Sequence, residues 1–295
     1  RPVTAALAGA VMSNETDYPG ALDVVGYNYT EYRYKQDHEK YPHRVLYGSE
    51  TRHDLKAWKA VRDNDFIFGQ FIWTGFDYLG EPTPYYTNWP SHSSLFGIID
   101  LAGIPKDRYY LYRSHWNKSA KTLHILPHWT WPGREVTPVF VYTNYPSAEL
   151  FINGKSQGKR TKDLSIGIDR SYTEAAQKSF ERQKRYRLMW MDTKYEPGTL
   201  KVVAYDKEGN AVAEEEVHTA GKPHHIELSA DRNQLTADGK DLSFINVRVV
   251  DKNGNLCPDA THKVKFNVRG SGSYRAAANG DPSSLESFQA PQMSL

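Results

Sequence analysis

Arg44-Val45-Leu46-Tyr47-Gly48-Ser49-Glu50 is a short apolar run that stops abruptly at a carboxylate. The next apolar run, Asp65 to Trp73, ends on an indole. Between them, Leu55, Trp58 and Val61 recur on one helical face, and Thr51 and Asp54 suit a capping box. Strand, helix, strand in that order is a βα unit of a parallel sheet. Working outward, Pro2–Leu7, Leu22–Tyr27, Arg44–Tyr47 and Phe66–Trp73 are the candidate strands of residues 1–120. The last is almost continuously apolar, as a strand covered on both faces should be. A further helix is expected to begin near Pro105 and to carry Tyr109, Tyr110 and Tyr112. Gly80–Ser94, rich in proline and without apolar periodicity, reads as a long loop.

From about residue 121 the texture changes. Val136–Tyr142, Ala148–Ile152 and Thr199–Tyr205 are strand-like, and Asn153-Gly154 and Glu208-Gly209-Asn210 are hairpin turns between such runs. Residues 121–221 therefore predict a β-sandwich, with the polar stretch Asp163–Arg187 as a solvated excursion. A third segment, 222–295, offers Ile226–Leu228, Phe244–Val250 and Val264–Val268, with Asp238-Gly239 and Asn253-Gly254 as turns. That is short for a complete sandwich, and no closing strand is evident after Asp281.

Composition excludes several classes. A net charge of +2 over 295 residues gives no concentration of Lys and Arg for phosphate contacts, so no nucleic-acid partner is expected. Cys257 is the only cysteine, which rules out an intrachain disulfide. No apolar run is long enough to span a bilayer. Arg1–Met12 faintly resembles a signal peptide, yet a barrel strand is the preferred reading. Gly154-Lys155-Ser156-Gln157-Gly158-Lys159-Arg160 misses the phosphate-loop spacing by one residue and reads as a hairpin. The histidines, His124 and His128 included, show no metal-ligand spacing, so neither metal nor other cofactor is expected.

The carboxylates carry the chemistry. Sugar cleavage with retention needs two, a nucleophile and an acid/base, roughly 5–5.5 Å apart. Glu50, held at a strand end, suits the nucleophile. It suits equally an anion stabilised by the dipole of the helix that follows. Asn14-Glu15 is set aside as the acid/base because it lies in a polar turn, Met12–Gly20. Asp77 and Glu81, in the loop after Trp73, either contact sugar hydroxyls or are ordinary loop charges. The aromatic stretch Tyr85–Trp89 could support sugar binding without chemistry.

Four motifs in this order carry a resemblance: Val24-Val25-Gly26-Tyr27-Asn28-Tyr29, Val45-Leu46-Tyr47-Gly48-Ser49-Glu50, Gly69-Gln70-Phe71-Ile72-Trp73-Thr74-Gly75-Phe76-Asp77 and Phe96-Gly97-Ile98-Ile99-Asp100. Together they resemble the last part of a glycoside hydrolase family 2 catalytic barrel, as in bacterial β-galactosidases. Segment 121–221 resembles the immunoglobulin-like domain that follows such a barrel. Segment 222–295, with Ala278-Asn279-Gly280-Asp281-Pro282, resembles a second one, incomplete here. The fold implied is α/β plus all-β: the carboxyl-terminal half of a (β/α)8 barrel over 1–120, then the two sandwiches.

The resemblance also implies roles. Glu50 falls at the nucleophile position, Trp73 at the aromatic platform under the sugar, Tyr27 at the tyrosine beside the nucleophile and Asn28 at the site rim. The acid/base then lies upstream of Arg1, and the segment by itself is expected to be inactive. The implied partner is a carbohydrate substrate, and a half-barrel calls for a homo-oligomer or a complementing upstream fragment to cover its sheet edges. A periplasmic or cell-surface location is implied. The alternatives are another activity of the family, β-glucuronidase or β-mannosidase, or a non-catalytic carbohydrate-binding module.

Overall fold

The computed structural model describes residues 1–82, 90–166 and 180–295. The aromatic stretch Tyr85–Trp89 and the middle of the polar excursion lie outside the described residues. Two compact units are present. The first comprises Arg1–Asn117, Asp163–Tyr186 and Ala278–Leu285, and the second comprises Lys118–Lys162, Arg187–Ala277 and Glu286–Leu295.

In the first unit, β1 (Thr4–Leu7), α1 (Ala10–Ser13), β2 (Val24–Asn28), α2 (Tyr34–Lys40), β3 (Val45–Thr51), α3 (Leu55–Arg62), β4 (Ile67–Ile72) and α4 (Asp107–Trp116) follow one another. The strands form one parallel sheet in the order β1-β2-β3-β4. All four candidate strands of the sequence are present, shifted by a few residues at their ends. The α3 cap differs from expectation: Asp54 accepts from the Ala57 amide at 2.7 Å, whereas Thr51 is still in β3 and accepts from Gln70 Nε2 at 2.6 Å. Leu7, Val25, Tyr27, Leu46 and Ile67 of the strands pack with Ala10, Tyr34, Ala60 and Val61 of the helices. Fully burying an aliphatic side chain of this kind stabilises by about 1.5–3 kcal/mol.

A buried carboxylate ties these layers together. Asp37 of α2 is fully buried and accepts from Arg33 Nη2 (2.6 Å), the Tyr27 hydroxyl of β2 (2.7 Å) and Asn14 Nδ2 behind α1 (2.8 Å). Arg44 in turn donates to Asn14 Oδ1 at 2.6 Å. The expected solvated excursion is not wholly solvated. Tyr186, at its end, is buried against Trp58 of α3, with ring centroids 5.0 Å apart, and its hydroxyl donates to Asp63. An apolar ring and a satisfied phenol draw this end of a polar segment inward.

The second unit is antiparallel. β5 (Leu123–Leu126), β6 (Val139–Thr143) and β9 (Leu188–Trp190) form one sheet, in the order β5-β6-β9. β7 (Ser147–Ile152), β8 (Lys155–Thr161), β10 (Thr199–Tyr205) and β11 (Ala211–His218) form another, in the order β11-β10-β7-β8. Alternate residues Leu200, Val202 and Ala204 of β10 point inward and meet Ile125, Val139, Val141 and Trp190 in one core. The expected turns at Asn153-Gly154 and Gly209 are present, with positive φ at Asn153 (48°), Gly154 (80°) and Gly209 (90°). Beyond them, β12 (His225–Ala230) pairs with β13 (Ile245–Val250), and β14 (Lys263–Lys265) with β15 (Gln292–Ser294).

Removing one partner of a buried ion pair costs about 3–5 kcal/mol because the other charge is stranded. Asp37→Ala should lower unfolding free energy by about that much, read from the urea midpoint. A loss below about 1 kcal/mol would mean that Arg33 and Tyr27 find water instead.

Candidate active site

The parallel register brings the carboxyl ends of three strands together. Asn28 of β2 pairs with Glu50 of β3, and Thr51 of β3 pairs with Ile72 of β4. The chain leaving each strand stays hydrogen-bonded to its neighbour: the Tyr29 amide donates to the Glu50 carbonyl at 2.9 Å, and the Trp73 amide to the Thr51 carbonyl at 2.8 Å. Carboxyl ends of parallel strands are where α/β folds place their ligands. Glu50 is partly exposed there, and Trp73 is 36% exposed.

Side chains converge on Glu50. The Tyr29 phenol and the Glu50 carboxylate are close enough to interact electrostatically. Burial first, then the neighbouring Glu50 carboxylate, push the Tyr29 phenol above its ordinary value. The Arg52 guanidinium lies 5.7 Å from the Tyr29 ring centroid. From the loop after β4, Tyr78 stands edge-on to Trp73 with centroids 6.1 Å apart and donates its hydroxyl to Glu81. Burial, then Glu81, with Glu50 as a lesser charge, raise the Tyr78 phenol as well. One end of the sheet therefore holds a carboxylate, an indole, two phenols and a second carboxylate. Tyr29 (φ 51°) and Glu81 (φ 46°) both hold left-handed backbone, which costs a side-chain-bearing residue about 1–3 kcal/mol and clusters at functional sites.

Two expectations change. Tyr27 does not hydrogen-bond Glu50: it is fully buried and donates to Asp37 on the helix side of the sheet. Tyr29 is the tyrosine whose phenol lies near Glu50. Asp77 is not available for sugar hydroxyls. It is buried, accepts from the Gly97 amide at 2.7 Å and pairs with Lys106 Nζ at 2.6 Å, so it braces the loop from behind. Asn28 lies beside the site, but its Oδ1 accepts from Ser49 Oγ at 2.6 Å. Tyr29, Arg52 and Tyr78 were not singled out from the sequence. Tyr29 follows the strand end within the quoted motif, and that nearness to Glu50's neighbour strand was its only signal.

Gly97 is required by this bracing. A Cβ there would lie 2.1 Å from the Asp77 amide nitrogen. Among the described residues no group of three or more His, Cys, Asp or Glu could hold a metal, and no helix is long and apolar enough to cross a membrane.

Comparison with known proteins places the chain in a family. Residues 226–295 match the model for glycoside hydrolase family 2 C-terminal domain 5, and residues 134–213 match a domain of unknown function, DUF4982. A β-galactosidase of Bacteroides ovatus is 40% identical over 98% of this chain and 37% of its own length. A putative β-glucuronidase of Formosa agariphila is 32% identical over 77% of this chain and 20% of its own. The crystal structure of a glycosyl hydrolase family 2 member from Bacteroides cellulosilyticus superposes with a TM-score of 0.80 at 32% identity, over all of this chain and 40% of that one. The first two are named as β-glycosidases, and the chain belongs to glycoside hydrolase family 2. It spans less than half the length of these relatives.

Two measurements check the geometry. Tyr27 is pushed up to about 12, by burial and then by Asp37, from 10.0. A folded value above the unfolded one means that the neutral phenol contributes fully below pH 10.0 and that this contribution is lost as pH rises through about 12. Tyr27→Phe should flatten that part of the alkaline decline in the denaturant midpoint; an unchanged slope would place the titration elsewhere. Gly97→Ala should cost about 1–3 kcal/mol by overpacking and speed amide exchange over 74–81.

Proposed function

We propose that this chain carries the nucleophile half of a retaining β-glycosidase acting on terminal β-galactosides. Its four parallel strands read as strands five to eight of a (β/α)8 barrel, followed by two immunoglobulin-like sandwiches. The observation that carries the proposal is Glu50 at the mouth of the sheet, paired in register with Asn28 and with the Tyr29 phenol close by, together with the Trp73–Tyr78 aromatic pair at the end of the next strand. Glu50 attacks the anomeric carbon while a second carboxylic acid protonates the leaving oxygen, giving a covalent glycosyl-enzyme. Water then releases the sugar with retention. Tyr29 is placed to restrain the carboxylate with a charge-assisted bond during turnover, and the exposed face of Trp73 suits stacking on the apolar face of the sugar. The acid/base is assigned to a preceding strand of the same barrel, outside residues 1–295, so the isolated chain should not turn over. Phe68 and Phe71 of β4 and Val3 before β1 are exposed, which fits a sheet completed by further strands or by a second copy.

The 40% identity to a β-galactosidase supports a galactoside. Arg52 favours a second reading. A guanidinium beside Tyr29 could pair with a uronate, and two Formosa relatives are named putative β-glucuronidases.

In a full-length polypeptide carrying this segment, Glu50→Gln should reduce kcat on an aryl β-galactoside by at least about a thousandfold. Tyr29→Phe should cost about 10–100-fold, the worth of one hydrogen bond to a charged group. Turnover by the purified chain, or wild-type rates for Glu50→Gln, would overturn the proposal. Higher kcat/KM on an aryl β-glucuronide than on the galactoside would select the second reading.

A further inference from the structure

We infer that residues 279–284, far along the chain from the candidate site, form a strap that positions its aromatic and acidic rim. The inference rests on Glu50 marking that site. Ala278–Leu285 belongs to the same compact unit as the parallel sheet, although it lies within the span that matches the family's C-terminal domain.

The strap is internally braced. Asp281 Oδ1 accepts from both the amide (2.8 Å) and the hydroxyl (2.7 Å) of Ser283, and Asn279 Oδ1 accepts from the Asp281 amide at 3.1 Å. It touches the segment 92–100 near both ends. At one end the His92 amide donates to the Pro282 carbonyl at 3.0 Å. At the other, Gly280 lies so close to Asp100 that a Cβ would fall 2.5 Å from its Oδ2, and its φ of 75° independently disfavours a side chain. Asp100 is fixed in turn, its Oδ1 accepting from the Ala102 and Ile104 amides at 2.9 and 2.8 Å.

Segment 92–100 is the back wall of the site loop. Gly80 donates to the His92 carbonyl (2.8 Å), Ser94 to the Tyr78 carbonyl (2.9 Å) and Asp77 to the Ile99 carbonyl (2.9 Å). Tyr78 sits in the middle of this ladder and reaches forward to Trp73 and Glu81. An uninterrupted run of hydrogen bonds thus leads from strap to rim. Glu50 lies on β3 and does not depend on it. The strap is therefore a positioning element for the sugar-binding side of the site and not for the nucleophile.

Two variants test this: Gly280→Ala, and replacement of 279–284 by six alternating Gly and Ser. In the purified chain, both should speed amide exchange at 76–81 and 92–99 while leaving β2 and β3 protected. In the full-length polypeptide, both should raise KM for an aryl glycoside by about tenfold, the loss of roughly one placed hydrogen bond. The maximal rate of Glu50 labelling by a mechanism-based fluorosugar should stay within about twofold. Unchanged exchange overturns the strap. Faster exchange with unchanged KM overturns its role in positioning, and a fall in maximal labelling shows that the strap acts on the nucleophile instead. If Glu50→Gln retains turnover, the reading of the site fails, whereas the exchange result still decides the strap.

Discussion

Parallel pairing of β2, β3 and β4 is the constraint on which the site depends. It sets Asn28 beside Glu50 and Thr51 beside Ile72, and it makes the first residues beyond the strands, Tyr29 and Trp73, hydrogen-bond back onto β3. Backbone bonds, not side-chain contacts, therefore decide that a carboxylate, a phenol and an indole leave the sheet at one end. A slip of one residue in β3 would turn Glu50 to the other face.

Behind the sheet, the burial of polar groups keeps that register. Asp37 unites β2, α2 and the end of α1 through three hydrogen bonds, and its burial makes any unpaired alternative costly. The loop after β4 is held by the same device. Asp77 is satisfied by Gly97 and Lys106, leaving Tyr78 and Glu81 to face forward. In both places a carboxylate that looks chemical in the sequence is a brace. The reason is that it is buried and already hydrogen-bonded, whereas Glu50 is partly exposed.

Membership of glycoside hydrolase family 2 gives these features a chemical context, and the strap adds a topological one. Residues within the span of the family's C-terminal domain belong to the unit that holds the parallel sheet. A segment that looks peripheral in the sequence thus meets the rim of the candidate site through one ribbon, 92–100, without touching Glu50.

The four strands, α3, α4 and the hairpin turns were legible because apolar periodicity and turn chemistry are local properties. So was Glu50, because a charge ending an apolar run is visible in one dimension. The choice between Tyr27 and Tyr29 was not. Strand alternation puts Tyr27 on the helix side, and only the left-handed backbone at Tyr29 turns that residue towards Glu50. The role of Asp77 was equally hidden, since its partners lie 20 and 29 residues away. The one-dimensional chain determined which segments are strands and that a carboxylate ends the third of them; tertiary structure decided which neighbours face it, because burial and backbone direction are set by contacts remote in sequence.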